Sequence, residues 1–341
     1  MDEFRTKRLR WRQPRASDVN AYMAFVSDYE VVKWTATWPH PAEREFVASR
    51  CVPMAPERGF AGPVFAADEM IGGVGIITGE LGFFVAKPHW GKGYATEMAR
   101  AAIAQAFQTQ DFDQIVATIW QANAASARVL DKLGFAQTGT SRHACKAQGK
   151  EVDAIDFCLS RADWLTANPL RILTERLMIR PYSASDVTAF HAISADKDVA
   201  RMLISVPHPF SIEQAITWID DRQFRGRLGF CAGVFLRDGT LIGNVGIGGN
   251  PTATMIFIDP AQWGRGLATE ALRGFLDCAF DQFGMAEIKA GPMAENPASQ
   301  RVLAKLGFEF TRIDTCKSLA RLEPTPEYLY RLTRRRFGAT R

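Results

Sequence analysis

Two glycine-containing loops have the residue types and spacing of a phosphate site. The octapeptide Trp-Gly-Lys-Gly-Tyr-Ala-Thr-Glu at 90–97 returns as Trp-Gly-Arg-Gly-Leu-Ala-Thr-Glu at 263–270. Each copy joins a predicted strand to a predicted helix, so unpaired backbone N–H groups lie at the positive end of the helix dipole and can bind an anion. The glycines permit a positive φ and a close approach of the anion to the backbone.

A second motif, Asn-x-x-Ser, follows each loop at a constant distance. Asn123 and Asn296 come 33 residues after the tryptophans of the two loops. One G-x-G-x-A loop alone could be a plain turn between a strand and a helix, but the constant spacing of two motifs indicates one binding device present twice. The loops complete neither the P-loop pattern G-x-x-x-x-G-K-[ST] nor the dinucleotide pattern G-x-G-x-x-G.

The self-similarity extends along both halves of the chain. Thr6-Lys-Arg-Leu returns as Thr174-Glu-Arg-Leu, and Ile71-Gly-Gly-Val-Gly-Ile returns as Ile242-Gly-Asn-Val-Gly-Ile. A repeat of this length means two copies of a whole domain, and 341 residues suit two domains. We therefore predict one domain over 1–168 and a second over 169–341.

The hydrophobic periodicity predicts the same order of elements in each half: a strand, two helices, three strands, a long helix, a strand, a short helix and two strands. The short helix is expected to begin at Ser126 in the first half and at Ser299 in the second. The fold class is α+β, with a mixed, mainly antiparallel sheet flanked by helices in each of two tandem domains.

Composition and charge exclude several classes of protein. The hydrophobic fraction of 47% and the charged fraction of 23% are those of an ordinary globular protein. The formal charge of +4 comes from arginines near the C-terminus, interpreted as a solvated, frayed end, so no nucleic-acid partner is expected. No signal peptide, membrane span or metal-binding cysteine pattern is apparent, which predicts a cytoplasmic protein with free thiols and no metal.

These motifs resemble those of the GNAT N-acetyltransferase superfamily, and are closest to the branch of ribosomal-protein alanine N-acetyltransferases. The resemblance covers nearly all of both halves, although tryptophan stands at 90 and 263, where the family usually has Gln or Arg. It implies acetyl-CoA as co-substrate, a primary amine as acceptor (a protein N-terminus or a small molecule) and direct attack within a ternary complex. Because members of this branch often form homodimers, we expect the two domains to pack as an intramolecular pseudo-dimer.

The resemblance also implies binding roles. The strand before each loop would separate from its neighbour at a bulge and pair with the pantetheine amides, the loop amides would hold the pyrophosphate, and the asparagine would bind the pantetheine arm. The residues so implied in the first domain are Phe83, Phe84, Val85, Trp90, Gly91, Lys92, Gly93, Tyr94, Ala95, Thr96 and Asn123. Those in the second domain are Ile256, Phe257, Ile258, Trp263, Gly264, Arg265, Gly266, Leu267, Ala268, Thr269 and Asn296.

Catalytic roles are implied for three side chains and one amide. Ser126 and Ser299 would protonate the leaving thiolate, although each could instead be a helix N-cap. A backbone N–H near Phe84 would stabilise the oxyanion. Glu80 would act as general base or bind the acceptor amine, although it could also be an ordinary carboxylate at a strand end.

The two copies differ at the position of that carboxylate. Glu80 of the first domain aligns with Ala253 of the second. Asp259 could replace the missing carboxylate there, but it would lie nearer the CoA side of the strand. We therefore expect the first domain to carry the catalysis. The alternative function is a CoA-binding regulatory or sensor protein in which one or both domains do not catalyse, and a structural pseudoenzyme is a third.

Overall fold

The computed structural model describes residues 3–340, and the chain divides into two compact units, Met1–Asn168 and Pro169–Arg341. The first unit contains, in chain order, β1 (Glu3–Arg5), β2 (Leu9–Arg12), α1 (Val19–Val26), α2 (Tyr29–Val32), α3 (Arg44–Arg50), β3 (Gly59–Ala66), β4 (Glu69–Ile77), β5 (Glu80–Val85), α4 (Tyr94–Thr109), β6 (Gln114–Trp120), α5 (Ala124–Lys132), β7 (Ala136–Cys145), β8 (Lys150–Ser160) and α6 (Arg161–Ala167).

The second unit repeats this order. It contains β9 (Ile172–Leu173), β10 (Leu177–Arg180), α7 (Val187–Ser194), α8 (Lys197–Ala200), α9 (Ile212–Asp220), β11 (Phe230–Leu236), β12 (Leu241–Gly248), β13 (Ala253–Ile258), α10 (Leu267–Gln282), β14 (Glu287–Ala290), α11 (Pro297–Lys305), β15 (Glu309–Cys316), β16 (Thr325–Thr333) and α12 (Arg334–Gly338).

Each unit has one mixed sheet. The strand order is β1-β2-β3-β4-β5-β6-β8-β7 in the first and β15-β16-β14-β13-β12-β11-β10-β9 in the second. Only the β5–β6 and β13–β14 pairs are parallel among the described strands, and the other neighbours are antiparallel. The predicted fold class, α+β with a mainly antiparallel sheet and flanking helices in two tandem halves, is confirmed.

The long helix after each glycine loop covers one face of its sheet. The predicted apolar stripe of α4 is buried against the sheet through Met98, Ala99, Ala102, Ile103, Ala106 and Phe107. Its spacing of three and four residues keeps these side chains on one face of the helix. The corresponding face of α10 packs into the core of the second unit in the same way. Each long helix therefore holds its glycine loop at a fixed height above the sheet.

Three predicted details are wrong. The predicted order omits the first strand, the second helix and the last helix of each unit. The short helices begin at Ala124 and Pro297, two residues before the serines. The C-terminal arginines are not a frayed end: Arg334 opens α12 and donates from Nη1 to the carbonyl of Phe280 at 2.6 Å, and Phe337 is 2% exposed. Arginine here satisfies the last carbonyls of a buried helix, which a count of charges cannot indicate.

A buried ion pair anchors the start of α1 to β2. Asp18 is 5% exposed and accepts two hydrogen bonds from the Arg12 guanidinium, at 2.7 and 2.6 Å, and one from the Arg15 amide at 2.7 Å. Burial alone would raise the pKa of Asp18, but these bonds outweigh it and leave the pKa below its ordinary value. Arg180 and Asp186 form the same pair in the second unit.

We expect Asp18→Ala to destabilise the first unit by about 3–5 kcal/mol, because it leaves the Arg12 guanidinium buried without its carboxylate. Since the folded pKa of Asp18 is lowered, its contribution is present above an unfolded pKa of about 3.9 and is lost as the pH falls through the folded value. Denaturant unfolding of the full chain between neutral and acid pH measures both effects. The exposed Asp68 is the control: Asp68→Ala should change stability by less than about 0.5 kcal/mol, and an equal effect of the two variants would contradict the prediction.

Candidate functional site

The parallel strands of each sheet meet at one position and then separate. Within the described chain, β5 and β6 pair only at Glu80 and Val116, and β13 and β14 only at Ala253 and Lys289. A gap therefore opens towards the C-terminal ends of both pairs. The separation expected from the resemblance is present, but β5 keeps an unshifted register with β4 along its six residues, so the expected bulge in this strand is not its cause.

The direction of the backbone amides follows from the register. The Ala86 amide donates to the Ile71 carbonyl at 2.8 Å. Because hydrogen-bonded pairs alternate along an antiparallel ladder, the Phe84 amide also faces β4, whereas the amides of Phe83 and Val85 face the gap. An oxyanion in the gap would therefore accept a hydrogen bond from the backbone amide of Phe83 or Val85, and not from that of Phe84. The same alternation turns the amides of Ile256 and Ile258 into the second gap.

The repeated tryptophans close the end of the gap nearest the loops. The Trp90 indole donates from Nε1 to the Val85 carbonyl at 2.7 Å, and Trp263 donates to Ile258 at 2.7 Å. That carbonyl would otherwise point, unpaired, towards the gap. Trp90 and Trp263 as whole residues are 44% and 53% exposed. Tryptophan at this position thus satisfies the last carbonyl of the strand and shapes the turn into the loop.

The glycine loop presents backbone amides at a helix start. Gly91 and Gly93 have φ of +76° and +77°, and Gly264 and Gly266 have +75° and +76°, as the sequence predicted. The first intrahelical bond of α4 runs from the Glu97 amide to the Gly93 carbonyl at 3.1 Å. The amides of residues 94–96 therefore precede the helical ladder and point out of its N-terminus. This is an anion-binding arrangement.

A carboxylate in the first helical turn ties this loop to the turn between β1 and β2. Glu97 accepts from the Thr6 hydroxyl at 2.5 Å, from the Arg8 amide at 3.0 Å and from Arg8 Nε at 2.6 Å. Nη1 of Arg8 also donates to the Lys92 carbonyl inside the loop at 3.0 Å. We call this arrangement the loop clamp. It gives a role to the Thr-x-Arg-Leu motif that sequence reasoning missed.

The second unit reproduces the loop clamp. Glu270 accepts from Thr174 at 2.6 Å and from Arg176 Nε at 2.6 Å, and Arg176 Nη1 donates to the Arg265 carbonyl at 3.0 Å. Partial burial would raise the pKa of Glu97 and of Glu270, but the threonine and arginine donors leave both below the ordinary value. Both carboxylates are thus held ionised and neutralised by arginine.

The Asn-x-x-Ser motif begins the short helix. Oδ1 of Asn123 accepts from the Ser126 amide at 3.1 Å, and Asn296 holds Ser299 in the same way at 3.0 Å. The asparagine, not the serine, is therefore the N-cap. The cap fixes the orientation of the Asn123 amide group, whose Nδ2 carries two further donors. The Ser126 hydroxyl is left at the third helical position, beside the cleft.

A cleft of about 670 Å³ in the first unit brings most of the candidate residues together. Of the residues proposed for this unit, those that line the cleft are Phe83, Phe84, Val85, Trp90, Gly91, Gly93, Tyr94, Ala95, Thr96, Asn123 and Ser126. Lys92 and Glu80 lie outside the lining. The remaining wall comes from the start of α5 and from α2 with the residues after it, among them Glu30, Trp34 and Thr35.

Sequence reasoning missed the wall formed by α2. Asp28 caps this helix through the Glu30 amide at 2.9 Å, and Glu30 pairs with Lys33 at 2.8 Å. The pattern Asp-x-[Glu/Asp]-Val-x-[Lys/Arg] recurs at 196–201. Its presence in both halves could have indicated a further repeated element at this wall. Asp198 and Arg201 form the corresponding ion pair at 3.4 Å.

Two tryptophans near the start of the first unit divide between the core and the cleft. Trp38 is 9% exposed and packs on Tyr22 and Phe84, with ring centroids 5.8 and 5.7 Å away. Trp34 lines the cleft. Glu80 is exposed at the first residue of β5, where the two strands still pair. At about 3.3 Å per residue it lies roughly 10 Å along the strand from Phe83, and its catalytic role stays a prediction.

The second unit has a side-chain bridge between the two walls of its gap that the first unit lacks. Arg321 donates from Nε and Nη2 to the Arg201 carbonyl at 2.9 and 2.7 Å, and it also forms an ion pair with Glu295. In the first unit, Gln148 aligns with Arg321 and donates to the Lys33 carbonyl at 2.9 Å, but Ala122 aligns with Glu295. The bridge between α8 and the start of α11 is therefore specific to the second unit.

Other candidate features have structural roles or form no site. Asp259, the possible substitute for Glu80, accepts from the Ala261 amide at 2.9 Å and caps the turn before the loop. Among residues 3–340, no group of His, Cys, Asp or Glu side chains is arranged to hold a metal ion. None of the helices described above combines the length and hydrophobicity of a membrane span.

Comparison with known proteins identifies the family. The model of the acetyltransferase (GNAT) domain matches residues 8–136 and again residues 176–309. The chain belongs to the GNAT acetyltransferase family. The two matches fall in different units, so this GNAT protein carries the domain twice.

Relatives of this GNAT protein match over about the length of one unit. An uncharacterized N-acetyltransferase of Bacillus licheniformis is 26% identical over 178 residues, covering 48% of this chain and 99% of that protein. An uncharacterized N-acetyltransferase of Bacillus subtilis is 30% identical over 144 residues, covering 40% and 81%.

Solved structures of similar proteins include a GNAT-family acetyltransferase from Bacillus anthracis, with 24% identity and a TM-score of 0.42, covering 48% of this chain and 98% of that one. The ribosomal-protein-S5-alanine acetyltransferase from Vibrio fischeri has 20% identity and a TM-score of 0.41, covering 48% and 99%.

We expect Glu97→Ala to loosen the first glycine loop, because it removes the acceptor shared by Thr6 and Arg8. Hydrogen bonds to a charged group are worth about 1.5–3 kcal/mol, so amide exchange of residues 91–97 should accelerate about tenfold or more. Hydrogen exchange followed by mass spectrometry on the full chain measures this. Glu151→Ala, which removes an exposed carboxylate, is the control, and unchanged protection of the loop in Glu97→Ala would rule out the loop clamp.

Proposed function

We propose that this GNAT protein is an N-acetyltransferase that moves acetyl from acetyl-CoA to a primary amine by direct attack in a ternary complex. The observation that carries the proposal is the arrangement found in both units: a separated strand pair leading to a clamped glycine loop at a helix N-terminus. The acceptor class is a protein N-terminal amine or a small-molecule amine.

The gap suits the pantetheine arm of CoA. Amides and carbonyls of β5 that face away from β4 would pair with the two amides of the arm as a neighbouring strand would. The Phe83 amide lies in the middle of this stretch, and the Val85 carbonyl is already occupied by Trp90. Asn123, oriented by its own helix cap, would donate from Nδ2 to the arm near the thiol.

The loop suits the pyrophosphate. The amides of Gly91–Thr96 and of Gly264–Thr269 would receive the phosphate oxygens, and the positive end of the helix dipole favours their charge. The exposed side chains of Lys92 and Arg265 add positive charge at each loop. Because Arg8 neutralises Glu97, the carboxylate nearest this site does not repel the anion.

The chemistry needs a neutral amine, a held thioester and a proton for the thiolate. In the first domain Glu80 would take a proton from the acceptor ammonium, and the amine nitrogen would then attack the thioester carbonyl. The Phe83 amide, facing the gap, would stabilise the oxyanion that forms. As the C–S bond breaks, the Ser126 hydroxyl would protonate the leaving thiolate and take up the second proton of the amine nitrogen, which leaves a neutral amide and a neutral serine. Ser299 would do the same in the second domain.

We expect acetyl-CoA to bind with a stoichiometry of two per chain. Gly93→Val and Gly266→Val should each remove one site, because a β-branched residue is strained at a φ near +77° and +76°. Isothermal titration calorimetry of the full-length variants counts the sites. Gly239→Val carries the same strain in a hairpin turn, at a φ of +92°, and should leave both sites intact. A single site in the wild type would contradict a CoA site in each domain.

We expect Glu80→Gln to lower the turnover of the first domain by about 10²–10⁴-fold, the usual loss when a general base is removed. The variant is made in the Gly266→Val chain, so that release of CoA thiol reports the first domain alone. Affinity for acetyl-CoA should be unchanged, since Glu80 lies outside the lining of the cleft.

Glu57→Gln is the matched control for that variant, because Glu57 is also exposed and lies in the turn before β3. Equal turnover of Glu80→Gln and Glu57→Gln would exclude Glu80 as the base. Thiol release with a panel of amines and N-terminal peptides also separates an enzyme from a protein that only binds CoA, since the latter would show two sites and no release.

A further inference from the structure

The second unit has a cavity of about 330 Å³ beside the point where its parallel strands separate. Ala253 and Lys289, the one pair that joins β13 to β14, both line it. Gly291 and Glu327 line it as well, from the extension of β14 and from β16. The cavity therefore lies at the point where the two parallel strands begin to separate.

Glu327 reaches this cavity because Gly291 has no side chain. A Cβ atom at Gly291 would lie 1.9 Å from Oε1 of Glu327, so any other residue there would displace the carboxylate. Glu327 pairs with Met293 across the strands, and Gly291 comes two residues after Lys289. The carboxylate thus lies over Gly291, just after the end of β14 and beyond its contact with β13.

The two copies place their carboxylates on different strands. With the offset of 173 residues that aligns the glycine loops, Glu80 corresponds to Ala253, and Ala154 corresponds to Glu327. Thr118, which donates to Asp156 at 3.0 Å, corresponds to Gly291. The second unit thus lacks the carboxylate on β13 but has one on β16, together with the glycine that leaves room for it.

The surroundings of Glu327 adapt it to exchange a proton. Burial raises its pKa above the ordinary value for glutamate, and the negative charge of Asp314 on β15 raises it further. The other charged groups that line the cavity are Glu287, Lys289, Arg312 and Arg331. A carboxylate whose pKa moves towards the working pH is a better general base.

We propose that Glu327 is the carboxylate that deprotonates the acceptor amine in the second domain, a proposal that rests on the function proposed above. The ammonium of the acceptor gives one proton to the carboxylate, and its nitrogen lone pair attacks the carbonyl carbon of the thioester. The C–N bond forms and the C–S bond breaks. The Ser299 hydroxyl gives its proton to the thiolate and takes the second proton from the nitrogen, so that the amide, the CoA thiol and the serine hydroxyl all end neutral. In place of an inactive second domain, the chain then has two catalytic sites that use carboxylates from different strands.

The test uses the full chain with Gly93→Val, so that the second domain alone binds CoA. In this background, Glu327→Gln should lower thiol release about 10²–10⁴-fold and leave the affinity for acetyl-CoA unchanged. Glu309→Gln is the matched control, because Glu309 lies on the neighbouring strand outside the cavity. Adding Ala253→Glu to Glu327→Gln restores the arrangement of the first domain and should recover at least part of the lost turnover.

The pH dependence supplies a second readout. The basic form of Glu327 should be required, so turnover of the Gly93→Val chain should rise with pH through a value above the ordinary pKa of glutamate, and Glu327→Gln should lose this limb. Equal turnover of Glu327→Gln and its parent overturns the proposal, as does a Gly93→Val chain that binds CoA but acetylates no amine accepted by the wild type. A wild type that binds CoA and acetylates none overturns the proposed function itself, and this proposal with it.

Discussion

The glycine loops consist of backbone in left-handed and extended conformations, which no regular ladder of hydrogen bonds holds in place. A carboxylate in the first turn of the following helix provides that restraint: Glu97 binds Arg8 and Thr6, and Arg8 in turn binds the carbonyl of Lys92. These bonds join residues about ninety positions apart, so they connect the turn between β1 and β2 with the loop and the long helix. The positions of the loop amides offered to a ligand depend on this contact.

The same contact resolves an electrostatic conflict. A glutamate near a helix N-terminus is favoured by the dipole, but it would repel a phosphate bound there. Arginine removes the conflict by neutralising the carboxylate and holding it towards the turn between the first two strands of the unit. The strand pair contributes the complementary feature, since its separation leaves backbone groups of β5 without partners on one side. Loop and gap thus offer adjacent sites for the charged and the amide-containing parts of one extended ligand.

The sequence predicted those features that depend on local spacing: the duplication, the fold class, the positive φ of the loop glycines and the buried face of α4. It placed the start of α5 at Ser126 because serine is a common cap, whereas Asn123 takes that role. Contacts between strands that are far apart in the sequence could not be predicted from these local patterns. The alignment showed that Ala253 replaces Glu80, but the meeting of Glu327 with Gly291 depends on the register of β16 against β14, which no local pattern encodes. The role of Thr-x-Arg-Leu was missed for the same reason.

The indole hydrogen bonds of Trp90 and Trp263 give this protein a spectroscopic property. Each ring is about half exposed beside its own glycine loop, and its N–H is bound to a carbonyl at the end of the gap. Indole emission responds to such changes in solvation and hydrogen bonding, so each unit carries an intrinsic fluorophore at its own loop. The chain has six other tryptophans that also emit, so replacing one of the two by phenylalanine and comparing the variant with the wild type isolates the emission of that ring. This difference allows ligand occupancy to be followed unit by unit in the intact chain.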